Sequence, residues 1–226
     1  MKPAGRLVAA AWMHDGPAQR LFAALDGAGV TARFVGGCVR NTVAGRAIDD
    51  IDLAVDKPPK AMMAALEAAD LKVIPTGMKH GTVTAIADGR FFELTTLRRD
   101  VETDGRRAVV AFTDDWLEDA ARRDFTFNAL YADRDGTLYD PFDGRADLAA
   151  GRVRFIGDPD QRIAEDYLRI LRFFRIHAAF GAGEPDREGY LACIRGRAGL
   201  ASLSAERMRM EMLKLLVASG ASAAAL

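Results

Sequence analysis

The stretch DDIDLAV, residues 49–55, sets Asp50 and Asp52 two positions apart at the head of an apolar run. Along a strand alternate side chains share a face, so the two carboxylates project together while Ile51, Leu53 and Val55 turn to the core. Two such charges about 7 Å apart repel by roughly 2 kcal/mol at an effective dielectric near 20, and a divalent cation between them reverses that balance. Oxygen ligands with no histidine or cysteine nearby favour Mg²⁺. Glu93, alternating with Phe92 and Leu94 in RFFELTTL, is a candidate third carboxylate of the kind two-metal phosphoryl transfer uses. The bland alternatives are the solvent face of an edge strand for the aspartates and a solvated hairpin residue for the glutamate.

Upstream, FVGG carries Gly36 and Gly37 into a segment with Arg40. Glycines let backbone N–H groups approach a phosphate, and a helix start favours an anion, so a phosphate site next to a metal site implies a nucleotide. Downstream, ARRDFTFNAL places Arg123, Asp124 and Asn128 among aromatic residues. Arg123 can hold a phosphate, Asp124 can accept from a ribose hydroxyl, and Asn128 can fix a turn or contact sugar; an ordinary Arg-Asp pair at a helix start is the alternative. In EDYLRILRFFR, helical spacing aligns Asp166, Arg169 and Arg172 on one face, with Arg175 near its rim. Phe173 and Ile176 fall on that same side, which implies that another element covers it. A rigid carboxylate and guanidinium there match the donor and acceptor edge of a base.

The elements that must carry these groups follow from apolar spacing. A helix is expected at 17–28, a buried strand at ARFVGG, a short helix at CVRNTVAG, a strand at IDLAV and a proline-started helix at PPKAMMAALEAAD. KVIP, TVTAIAD and RFFELTTL follow, the last two joined by Asp88-Gly89 as a hairpin. The charged segment 98–112, with its Asp104-Gly105 turn, is expected to be a mobile loop. Beyond 113 the pattern is mostly helical, with a long amphipathic helix from about 159 to 180 and another starting at a Ser204 cap. The closing GASAAAL has no end signal, which suggests a fragment or a lost helical portion.

Half of the 226 residues are hydrophobic and the net charge is −1, so a core is attainable and any nucleic acid must be held by a local basic surface. No apolar run is long enough for a membrane span or a secretory signal, and a cytoplasmic address is the default expectation. The two cysteines, Cys38 and Cys193, are far apart and, with three histidines in the chain, argue against a zinc site or a disulfide scaffold.

These motifs, in this order, resemble the class II tRNA nucleotidyltransferases, the CCA-adding enzymes of the polymerase-β-like nucleotidyltransferase superfamily. FVGGCVRN with DDIDLAV is similar to their first motif, FELTTLRRDVETDGRRAVVAF to their hairpin and flexible loop, and ARRDFTFNALYAD to their second. GRVRFIGDPDQRIAEDYLRILRFFRIH is similar to the remaining head and neck motifs, and SAERMRMEMLKLL to the following helix, so the match spans about 17–218. The resemblance implies an α+β fold: a head with a small mixed β-sheet over 1–145, then an all-helical neck over 146–226, truncated before body and tail. It implies that Asp50 and Asp52 bind the catalytic Mg²⁺ ions and that Gly37 and Arg40 contact the incoming triphosphate. By the same carry-over Arg123, Asp124 and Asn128 engage phosphate or sugar. Asp166 with Arg169 would template C or A, and Arg172 and Arg175 would support the nucleotide or the RNA end. The implied partners are CTP, ATP and the tRNA 3′ end. Asn41 departs from the aspartate usual in the family. A bacterial poly(A) polymerase is the nearest rival, although TGMKHGTVTAI replaces its basic GRRF-like stretch, and a nucleotide-binding module without turnover is the rival of another class.

Overall fold

The computed structural model describes residues 1–7, 10–103 and 108–218, with side chains over 101–110 left aside. In chain order its elements are β1 (Pro3–Arg6), α1 (Ala11–His14), α2 (Gly16–Gly27), β2 (Ala32–Val35), α3 (Gly37–Val43), β3 (Asp52–Val55), α4 (Pro59–Glu67), β4 (Lys72–Gly77), β5 (Thr82–Ala87), β6 (Arg90–Thr96), β7 (Arg98–Thr103), β8 (Ala108–Phe112), α5 (Trp116–Ala121), β9 (Tyr131–Ala132), β10 (Thr137–Tyr139), α6 (Gly144–Ala149), α7 (Pro159–Glu165), α8 (Leu168–Phe180), α9 (Arg187–Gly196) and α10 (Ala205–Leu216). They form two units. One takes Met1–Arg99, Val110–Ala120 and Asn128–Pro141; the other takes Asp100–Val109, Ala121–Phe127 and Phe142–Leu226. No helix among the described residues is long and apolar enough to cross a membrane.

In the first unit Asp15 starts α2 by accepting from the Ala18 N–H at 3.1 Å, with proline in the first turn. Leu21, Phe22 and Leu25 of α2 and Met62 and Leu66 of α4 are buried against the sheet, whose inward face presents Val83, Ala85, Phe92 and Leu94. The sheet order is β1-β10-β9-β2-β3-β6-β5-β4, and every adjacent pair is antiparallel except β3 with β6. It is mixed, as expected, but eight strands wide rather than small. Of the added strands, β9 and β10 are two and three residues long, too short for an alternation, and β1 is exposed throughout and so carries none. The β5–β6 hairpin turns at Asp88 and Gly89, both at positive φ (49° and 81°), where the Asp-Gly pair is favoured.

Two expectations are corrected here. Segment 98–112 is not a structureless loop: its described parts pair as a two-stranded sheet, β7 with β8. The Asp104-Gly105 turn lies outside the described residues, as does GASAAAL after residue 219. The continuous helix over 159–180 is instead two helices, because Asp166 adopts an extended conformation (φ −156°, ψ 105°) between α7 and α8. There its carboxylate accepts the Leu168 N–H at 3.1 Å and its carbonyl the Arg169 N–H at 3.0 Å. A short acidic side chain gains more by capping a new helix start than by continuing the old helix.

The second unit's described elements from residue 142 onward are helical, and Phe155 bridges to Phe125. Its core is aromatic: Phe155 stacks on Phe173 with centroids 5.5 Å apart, and Phe125 lies 4.9 Å from Phe155. Beneath them Asp147, fully buried, accepts from Thr126 at 2.7 Å, from Arg152 at 2.6 Å and from Arg154 at 2.9 Å. A buried carboxylate so furnished costs far less than an unpaired one.

Candidate functional site

The acidic groups of the first unit are brought together by strand register. Because β3 and β6 run parallel, Asp52 stands opposite Glu93, with Thr84 of β5 opposite Glu93 on the other side. Asp50 precedes β3, which begins only at Asp52; it is exposed, Asp52 is half-buried, and Ile51 and Leu53 are buried as alternation requires. Asp50, Asp52 and Glu93 line one open recess of about 360 Å³ with Thr84 and Phe91. Among the described residues no three His, Cys, Asp or Glu side chains close into a group that could hold an ion unaided.

On the other flank of β3, β2 leads into α3 through Gly36, whose φ of 71° and ψ of −124° lie outside the range of ordinary side chains. The helix is only seven residues long. Its positive charge therefore comes mainly from Arg40, and that guanidinium is locked. Its Nη1 donates to Asn128 Oδ1 at 2.7 Å, while Nε and Nη2 both donate to Asn41 Oδ1, at 3.1 and 3.0 Å. Asn41 in turn donates from Nδ2 to the Ala47 carbonyl at 2.8 Å, tying α3 to the loop that delivers Asp50. Cys38, buried in α3, points its thiol at the carbonyls of Val35 (3.4 Å) and Asp52 (3.7 Å), and burial pushes its pKa up to about 11. It is an inert thiol that helps set the height of Asp52.

The remaining predicted residues lie in the second unit. Asp124 is buried and accepts both Nε and Nη2 of Arg172, at 2.7 and 2.5 Å, as well as the Phe125 N–H at 2.9 Å. Arg172 is held above its ordinary pKa, chiefly by the charge of Asp124. Arg175 donates to Glu211 at 2.6 Å, and Glu211 also lies 3.8 Å from Arg172. Asp166 pairs with Arg207 at 2.8 Å. Arg169 turns inward: it donates to the Arg162 carbonyl and to Glu165, both at 2.6 Å. Asp166 and Arg169 thus have different partners instead of pairing with each other. The carbonyl of Arg123 accepts from Arg162 at 2.8 Å.

The expected cover over the charged face of α8 is α10, through Arg207 and the buried Glu211. Neither residue stands out in the sequence; the signal was the i, i+4 placement of an arginine and a glutamate on a helix with apolar neighbours. Asn41 was noted only as a departure, and its two-way bridge becomes visible once Ala47 is seen to fold back.

Comparison with known proteins follows this geometry. A family model described as "Poly A polymerase head domain" matches residues 32–154. The chain is 45% identical over 192 residues to "CCA tRNA nucleotidyltransferase 1, mitochondrial" of Danio rerio, covering 84% of this chain and 44% of that protein. The solved structure of the Bacillus stearothermophilus CCA-adding enzyme in complex with CTP superposes with a TM-score of 0.82 at 37% identity, covering 93% of this chain and 51% of that one. A tRNA nucleotidyltransferase complexed with a primer tRNA and an incoming ATP analog gives a TM-score of 0.71 at 26% identity, covering 87% of this chain and 56% of its own. The chain spans about half the length of the relatives it matches.

Proposed function

The chain belongs to the Poly A polymerase head domain family, and we propose that it adds C, A or both to the 3′ end of tRNA from CTP and ATP without a nucleic-acid template. Residues 1–145 act as the catalytic head and 146–226 as the nucleotide-selecting neck, and a cytoplasmic address belongs to the same proposal. The observation that carries it is the parallel register of β3 and β6, which lines Asp50, Asp52 and Glu93 along one recess, with the Gly36–Arg40 turn on the other flank of β3.

Asp50 and Asp52 are the residues that would hold Mg²⁺, and the donor set fits: hard oxygens on an open rim, with the remaining positions left to substrate phosphates, as Mg²⁺ prefers. Bound there, the ion would polarise the α-phosphate and lower the pKa of the attacking hydroxyl. The chain's own residues do the rest. Gly36 and Gly37 let backbone approach the triphosphate, and Arg40, rigid in its asparagine clamp, offsets the charge of the pyrophosphate that leaves. Glu93 faces the hydroxyl's approach. The RNA 3′-oxygen forms the new bond to the α-phosphorus as the bond to the β-phosphate oxygen breaks. Asn128, clamping Arg40, and Arg123 and Asp124, in the same ARRDFTFNAL motif, bear on phosphate or sugar. Asp166 and Arg169 choose the base, and Arg172 and Arg175 support the nucleotide or the RNA end.

The test is incorporation of labelled CTP and ATP, supplied separately with Mg²⁺, into tRNA lacking its 3′ end. Incorporation abolished by Asp50→Ala and by Asp52→Ala supports the proposal. Preference for an oligo(A) primer would favour a poly(A) polymerase, and nucleotide binding without incorporation would favour a binding module.

A further inference from the structure

A second recess, about 570 Å³, adjoins the carboxylate one and shares Asp50, Ile51 and Phe91 with it; Trp12, Ile48 and Arg90 form its other walls. Phe91 is 62% exposed, more than any other large apolar side chain described in the first unit. Strand alternation puts it on the face of Glu93, since Phe92 between them is buried, and it lines both recesses together with Asp50. Trp12 is held in place by its indole N–H, which donates to Thr42 at 3.2 Å, and by an edge contact with Phe34 at 4.7 Å.

Sheet order says which substrate this groove suits. β3 lies between β2 and β6, so a triphosphate on the Gly36–Arg40 flank leaves the β6 flank to the nucleophile. The groove's own charges favour an uncharged ring over a phosphate: Arg90 pairs with Asp15 and Asp88 with Arg20, leaving Asp49 and Asp50 as the net charge of the wall. We propose that the groove seats the 3′-terminal nucleoside of the RNA being extended, its base lying on Phe91 with Trp12 and Ile48 opposite. This rests on the transferase function above and adds the place of the acceptor to it. Every base has a π-face, so an aromatic platform holds a 3′ end whose identity changes as nucleotides are added.

Two readouts test it on the full chain. In a Trp116→Phe background Trp12 is the sole tryptophan of the two in the sequence. A single-stranded RNA pentanucleotide with a free 3′-hydroxyl, added without nucleotide or Mg²⁺, then quenches its emission saturably. Phe91→Ala weakens that binding about tenfold and Phe91→Tyr restores it. In steady-state assays on tRNA lacking its 3′ end, Phe91→Ala raises KM for the RNA by a similar factor and leaves KM for CTP unchanged. Phe91 is exposed, so the variant should keep its fold, as circular dichroism can verify. Absence of quenching, or a change in KM for CTP in place of RNA, overturns the assignment. Wild-type protein that binds the RNA at Trp12 yet incorporates neither nucleotide would sink the transferase proposal while supporting the groove. Normal incorporation with Phe91→Ala indistinguishable from wild type would sink the groove alone.

Discussion

Asn41 serves two masters, and its chemistry explains why an amide suits the position. Its oxygen takes both nitrogens of Arg40's fork, and its nitrogen fastens the Ala47 carbonyl. An aspartate would strengthen the first interaction and lose the second, having no donor. Asn41→Asp is therefore expected to keep the KM for CTP while lowering kcat, because the loop carrying Asp50 loses its tether. Asn41→Ala should raise that KM about tenfold, a value that steady-state kinetics would return directly. The aspartates themselves are cheap to alter structurally and costly chemically. Asp50→Asn should lower incorporation on the order of 10³-fold, several kcal/mol of lost charge stabilisation, while the thermal midpoint stays within a few degrees because the side chain is solvent-facing. At this scale part of the first unit's geometry was legible: a period of two turns Asp50, Asp52 and Glu93 off the core, and the three line one recess. The partner of Asp166 was not, since Arg207 reaches it only through tertiary folding, whereas Glu165 meets Arg169 at the local i, i+4 spacing.

Among the elements, those with strong local chemistry were readable and those shaped by distant partners were not. The β5–β6 hairpin is written in Asp88-Gly89, and α2, α4 and α10 begin at caps or prolines that act locally. The break between α7 and α8 left no such mark, because the apolar spacing through Ile163, Tyr167 and Ile170 continues as if one helix ran on. Helix α9 also went unread; its ten residues include three glycine or alanine positions that dilute the apolar stripe. The charge lattice between α8 and α10 gives a stability prediction. Glu211 is buried and faces both Arg172 and Arg175, so Glu211→Ala leaves Arg175 without its carboxylate and should cost about 2 kcal/mol, measured as a shift in the urea midpoint. Glu211→Gln should cost less, since a hydrogen bond to Arg175 can survive. If both variants unfold at the wild-type midpoint, the lattice does not brace these helices.

For the molecule as a whole, the two buried thiols give an alkaline limit. Burial raises Cys38 to about 11 and Cys193 to about 12 from an ordinary 9.0. Raised folded values mean that the neutral thiols contribute stability in full below pH 9, and that this contribution drains away as the pH climbs through 11 and 12. Wild type should lose urea resistance faster than Cys38→Ala as the pH is raised above 9, and parallel curves for the two proteins would refute this. The chain's division into two units does not follow sequence order, because residues 100–109 and 121–127 join the helical unit although they precede it. The pairing of β3 with β6 has a temporal consequence as well. Asp52 and Glu93 meet only after the crossover through α4, β4 and β5 has closed, so the recess they line cannot form until β6 docks against β3.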